Sequence, residues 1–181
     1  MPRPPRDAAP GLHHIGVGAA GPAPYFRDDV DHLTWTRFFA HTIDRYGWTC
    51  IAVCELSTHW HAILDVPDDT LPRGLHWLNS EYGKAFNARH GRVGYLVRDR
   101  YWSRRKATDA EALTAFRYVS QNPVNAGVAD RPEDWFWSSF ATTIGLATTF
   151  PFVDATLVLM QFGTSHAVAI PALRRFVEEG L

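Results

Sequence analysis

The chain has 181 residues, with 18 basic against 19 acidic side chains and 46% hydrophobic residues, which suits one globular unit with a real core. Its only cysteines, Cys50 and Cys54, argue against a secreted disulfide framework and fit a reducing cytoplasm. The Pro- and Arg-rich start, Met1 to Pro10, lacks the apolar stretch of a signal peptide and reads as a flexible lead, and the apolar run Ala155 to Met160 is too short to span a bilayer.

Leu12 to Val17 reads as a first strand. Asp28 or Asp29 can cap a helix running to about Tyr46, with Trp35, Phe38, Phe39, Ile43 and Tyr46 as its apolar stripe and Gly47 as its stop. Thr49 to Leu56 and His59 to Val66 read as two strands, and the short Ser57-Thr58 connector makes them an antiparallel hairpin. Pro67-Asp68-Asp69 is a turn. Leu75, Leu78, Tyr82, Phe86 and Arg89 stand at helical spacing and predict a second helix that ends at Gly91. One or two strands are expected within Tyr95 to Arg105. Thr108-Asp109-Ala110-Glu111 has the form of a capping box and opens a third helix carrying Leu113, Phe116 and Tyr118. Pro123 is expected to end that helix and to leave Asn122 in a frayed last turn. Beyond Phe140 a Thr-rich segment precedes a terminal helix from about Ala172 to Glu179. The order β-α-β-β-α-β-α predicts an α+β, ferredoxin-like antiparallel sheet with packed helices over residues 11–140, with 141–181 as a C-terminal extension.

Two short stretches carry the chemistry. In Thr58-His59-Trp60-His61, strand alternation points both imidazoles to one face and Trp60 to the core. In Arg117-Tyr118-Val119-Ser120-Gln121-Asn122-Pro123, the four-residue spacing stacks Tyr118 and Asn122 on one helix face. Two imidazoles, an amide oxygen and a phenol can then converge on one metal, a toolkit for cutting a phosphodiester with a tyrosine nucleophile. The same HxH pair also suits a zinc hydrolase with a third ligand. Cys50 and Cys54 read better as buried apolar fillers than as zinc ligands, and Asp65 better as an exposed strand end than as a ligand. Net charge near zero argues against a nucleic-acid partner, but its distribution does not. Lys84, Arg89, Arg92, Arg98, Arg100, Arg104, Arg105 and Lys106 crowd one stretch in which Asp99 is the sole acid. Such a local stripe reads either as a phosphate footprint or as a solvated charged surface.

Taken together, these motifs resemble those of the single-tyrosine HUH transposases, in the REP-associated branch. His59-Trp60-His61 looks like the family's histidine, bulky hydrophobic, histidine strand. The stretch from Tyr118 to Val128 resembles its second motif, and Arg131-Pro132-Glu133-Asp134-Trp135-Phe136-Trp137-Ser138-Ser139-Phe140 the segment that follows. Leu12-His13-His14-Ile15 is similar to the opening strand, and Ala85 to Gly91 to the end of the second helix. Even the tail from Arg174 to Leu181 is similar to tails of this branch. Two departures stand out. Gly16-Val17-Gly18-Ala19-Ala20-Gly21 replaces a polar, basic turn, and Glu55-Leu56-Ser57-Thr58 replaces a segment that usually contains Met-Pro-Asn.

The resemblance implies a nuclease that cuts and rejoins single-stranded DNA near hairpins or palindromic elements. It implies Tyr118 as the nucleophile, with His59, His61 and Asn122 as ligands of Mg²⁺ or Mn²⁺. The basic stripe would hold the DNA backbone, and Trp102 or Tyr101 would stack on unpaired bases. A non-catalytic, domesticated DNA-binding module is the rival expectation, and the sequence leaves monomer and homodimer both open.

Overall fold

A computed structural model describes the protein over residues 9–20, 24–97 and 101–179. Four strands, β1 (Gly11–Gly18), β2 (Thr49–Leu56), β3 (His59–Val66) and β4 (Trp102–Lys106), pair antiparallel in the order β2-β3-β1-β4. This is the ferredoxin-like arrangement that the element order predicts. Of the one or two strands expected around Tyr95 to Arg105, the described residues form one, β4.

Helices cover both faces. On one side lie α1 (Asp29–Tyr46) and α2 (Leu71–His90), packed on Ile15, Val17, Trp60, Ala62, Leu64 and Val66. On the other lie α3 (Asp109–Asn125) and the short helices α4 (Phe140–Thr143) and α5 (Thr156–Leu159), with α6 (His166–Glu178), packed on Ile51, Ala52, Cys54, Leu56 and Ile63. Strand alternation divides the two sets, apart from a register shift between Cys50 and Ala52. Both cysteines are buried as free thiols, Cys50 in the first core and Cys54 in the second.

Local signals account for both ends of α1 and for the start of α3. The Asp28 carboxylate accepts from the N–H groups of Val30 and Asp31, and Gly47 closes α1 in the left-handed region at φ 65°. Thr108 Oγ1 accepts from Glu111 N at 3.2 Å, while Glu111 reaches back to Ala107 N at 2.8 Å. Thr108→Ala is therefore expected to cost about 1 kcal/mol of stability, read as a lower urea midpoint with an unchanged m-value.

Two prolines do not break the helices that contain them. Helix α3 runs past Pro123 to Asn125, and α6 starts at His166 with Pro171 inside it. Pro123 removes one N–H close to the end of α3, where little of the helix remains to be disrupted. The stop comes instead at Gly127, at φ 68°, after Ala126 N donates to Asn122 O. Burial of Val119 through Pro123 holds this last turn in place, so Asn122 is fixed rather than frayed.

The segment after α3 closes the outer edge of β2. Glu55 N donates to Trp137 O, Ser139 N to Val53 O, and Asp154 N to Cys50 O, all within 2.8–2.9 Å. Val53 N donates to Ser139 Oγ and Trp135 Nε1 to Glu55 O. The Arg131 to Phe140 motif thus covers a sheet edge that would otherwise expose unpaired backbone groups. The later residues also join the main body. Phe150 enters the first core, Leu173 and Val177 enter the second, and Gln121 Nε2 donates to Val177 O. No helix among the described residues is long and apolar enough to cross a membrane.

Candidate active site

The site lies on the sheet face covered by α3. His59 and His61 leave β3 toward that face, with ring centroids 5.1 Å apart, while Trp60 between them is wholly buried on the other side. Helix α3 carries Tyr118 over the pair, its ring 5.3 Å from that of His61 and nearly perpendicular to it. Tyr118 keeps 46% of its surface exposed, so the phenol stands at the mouth of the site rather than in the core. One turn further on, the buried Asn122 side chain lies close enough to His59 to favour its charged form against the burial that opposes it. On its other side Thr58 Oγ1 sits 2.9 Å from His59 Nδ1 and steadies the ring. Four residues from two distant stretches thus meet at one place. Asp65 shares their strand face but lies at the far end of β3, opposite Leu12 and Thr49.

A third imidazole belongs to this cluster. His14 on β1 has its ring 5.4 Å from both His61 and Tyr118. The sequence motifs place it only in the opening strand. Alternation along Leu12, His14 and Gly16, with β1 next to β3 in a ferredoxin-like sheet, is the signal that would have found it.

Burial keeps these imidazoles neutral. His14 is lowered to about 3, first by desolvation, then by the charges of His61, Lys106 and Arg104. His61 is lowered to about 4 by desolvation and then by His59. His59 is lowered as well, by burial, against the opposing effect of the Asn122 side chain. An unfolded chain regains the ordinary value of 6.5, so below it the unfolded state binds more protons than the folded one. This contribution to stability is complete above 6.5 and is lost as pH falls toward about 4. The urea midpoint is expected to drop between neutral pH and about pH 5, and His14→Gln is expected to flatten that drop.

The donor set fits a divalent cation. Neutral imidazoles are the form that ligates, and an amide oxygen beside them makes a mixed N/O set of the kind that accepts Mn²⁺ or Mg²⁺ with positions left open. His61 Nδ1 and His14 Nε2 are buried polar atoms with no hydrogen-bond partner among the described residues, which marks a place where a ligand or water is needed. Among the described residues no three His, Cys, Asp or Glu side chains are grouped to hold a metal.

The basic residues do not form one stripe. Lys84 pairs with Glu81 on the surface of α2. Arg89 binds Asp28 and Asp31, its NH1 2.6 Å from Asp31 Oδ1, and holds the end of α2 to the start of α1. Arg92 lies over the Phe86 ring. All three belong to the α1/α2 side, across the sheet from Tyr118, because α2 packs on the opposite face. Arg98 and Arg100 lie outside the described residues. On β4, alternation sends Arg105 to the far face and leaves Trp102, Arg104 and Lys106 on the Tyr118 face, paired with Gly16, His14 and Leu12. Tyr101 is buried in the first core and cannot stack on a base. A cavity of about 560 Å³ opens beside Tyr118, lined in part by His14, Trp102, Arg104, Lys106 and Thr114.

No protein-family model matches the chain, and no curated protein does. Among solved structures it is similar to the REP-associated tyrosine transposase bound to a REP hairpin, with a TM-score of 0.69 at 16% identity, covering 86% of this chain and 93% of that one. The chain therefore has the α+β fold of the REP-associated tyrosine transposase, a four-stranded antiparallel sheet with packed helices.

Proposed function

We propose that this protein is a single-stranded DNA endonuclease and strand transferase that cuts near hairpins through a 5′-phosphotyrosine intermediate. The observation that carries this reading is the meeting of the half-exposed Tyr118 with His59, His61 and Asn122 on one face of the sheet. The hairpin bound to the structurally similar transposase supports the choice of DNA partner.

In the proposed reaction Tyr118 Oη forms a bond to phosphorus, and the bond to the 3′ oxygen breaks. The phenolic proton leaves to solvent or a nearby base, and the leaving oxygen takes up a proton to become a 3′-hydroxyl. The phosphotyrosine retains the energy of the cleaved bond, so a 3′-hydroxyl can reverse the step and join strands. His59, His61 and Asn122 would hold Mg²⁺ or Mn²⁺, which when bound neutralises and orients the scissile phosphate. Thr58 holds the His59 ring through its Nδ1, and the Asn122 side chain lies next to the same ring. Burial keeps His61 and His14 uncharged, so neither repels a cation.

Incubation of the protein and Mn²⁺ with hairpin-bearing single-stranded oligonucleotides is the test. A covalent adduct, mapped to Tyr118 by peptide mass, is expected. DNA binding with no adduct under any metal would leave a binding module and overturn the enzymatic reading.

A further inference from the structure

The cleft between β4 and α3 contains features that cleavage by Tyr118 alone does not require. Trp102 is the cross-strand partner of Gly16. A Cβ on Gly16 would stand 2.4 Å from Trp102 Nε1 and 2.7 Å from its Cε2, so the indole occupies the space that a side chain there would take. The glycine permits the tryptophan to lie across its own strand partner. His14 meets the indole edge-on, with ring centroids 4.7 Å apart at 74°. Trp102 is thus held from two sides and still leaves 42% of its surface open. A fastened, half-exposed indole at the rim of a cavity is an unusual use of the most costly side chain to leave in water.

Charge completes the picture. Arg104 and Lys106 follow Trp102 on the same face of β4, and among the described residues no carboxylate lines the cavity. Both cations lie near enough to bear electrostatically on His14. The volume of about 560 Å³ falls within the ~300–1,000 Å³ of small-molecule sites. Tyr118 forms part of the wall, so whatever enters lies next to the proposed nucleophile.

We infer that this cleft is a single-nucleotide pocket beside the scissile phosphate, with the unpaired base set against the indole of Trp102 and the phosphate against Arg104 and Lys106. The inference rests on the DNA-cleaving reading above and adds to it a place where one nucleotide is gripped by base and backbone together. Stacking on an indole tolerates any base, so the pocket grips without reading sequence.

The test separates base from phosphate. The Tyr118→Phe chain, which cannot cleave, is titrated with an eight-nucleotide oligothymidylate. It is also titrated with an eight-unit abasic deoxyribose phosphate of equal charge. The thymidylate is expected to bind about ten-fold tighter or more, as loss of one stacked base would require. Trp102→Ala should remove about ten-fold of that preference while leaving abasic binding unchanged, and Trp102→Phe should keep most of it. Gly16→Ala, which retains the tryptophan but displaces it, should behave like Trp102→Ala. Arg104→Gln with Lys106→Gln should weaken both ligands alike and flatten the salt dependence. Equal binding of the two ligands by the parent, or equal weakening of both by Trp102→Ala, overturns the pocket. If hairpin DNA still forms the Tyr118 adduct in that case, the nuclease reading stands and only the pocket falls. Binding of neither ligand, with no adduct on hairpin DNA, overturns both.

Discussion

Tyr118→Phe is expected to abolish the covalent protein–DNA adduct and strand cleavage, while hairpin binding and metal affinity stay nearly intact. The substitution removes one oxygen from a half-exposed ring and leaves the ring contacts with His14 and His61 in place. Loss of a nucleophile is expected to cost on the order of 10⁴-fold or more in rate. His61→Ala should also stop cleavage, but by a different route, because it removes a proposed cation ligand rather than the proposed covalent acceptor. Titration with Mn²⁺ in the absence of DNA divides the two. His61→Ala and His59→Ala should lose heat of binding, and Tyr118→Phe should keep it. Cleavage that persists in the Phe variant would exclude Tyr118 as the nucleophile. Equal Mn²⁺ binding by the parent and all three variants would exclude the histidine pair as ligands.

Trp60→Ala is expected to give the largest loss of stability in the molecule. Trp60 is wholly buried, with its ring 4.8 Å from that of Trp35 and 5.8 Å from that of Phe39. Truncation of such a side chain typically costs about 3–5 kcal/mol, through lost transfer energy and the cavity left behind. Ordinary domains are stable by only about 5–15 kcal/mol, so the variant should sit near the edge of unfolding at 37 °C. Trp60→Phe should lose much less. Urea denaturation of both variants checks the order, and a small effect of Trp60→Ala would mean that the core closes over the gap. The effect bears on function too. The indole anchors β3 on one side of the sheet while His59 and His61 project from the other, so this one residue holds the strand from which both imidazoles are presented.

What the sequence reveals and what it hides follow from the range of the interactions involved. Alternation in β3 and four-residue spacing in α3 are local, so the sequence alone pairs His59 with His61 on one face of a strand and Tyr118 with Asn122 on one face of a helix. The ends of α1 and α2 are equally legible, because Asp28, Gly47 and Gly91 act within their own turn. Pro123 misleads because its local preference is outweighed by burial of the residues around it. The role of His14 depends on which strands lie side by side, and the fit of Trp102 over Gly16 depends on register between strands more than eighty residues apart. Arg89 reads as part of a basic stripe because its carboxylate partners at the start of α1 lie about sixty residues away. Charge is visible in a sequence, but its neutralisation by a distant partner is not.

The covering of β2 imposes an order of events on the growing chain. The β2–β3 hairpin leaves the ribosome some eighty residues before Trp137, Ser139 and Asp154, the groups that satisfy its outer backbone. During that interval the strand is a template open to any passing extended segment, including one from another copy. The C-terminal third of the chain is then less an appendix than a built-in chaperone for its sheet. A shortened version that ends near Phe140 would retain every residue assigned to chemistry and would forfeit the Asp154 seal, along with the aromatic and aliphatic side chains that α5 and α6 press against β2 and α3.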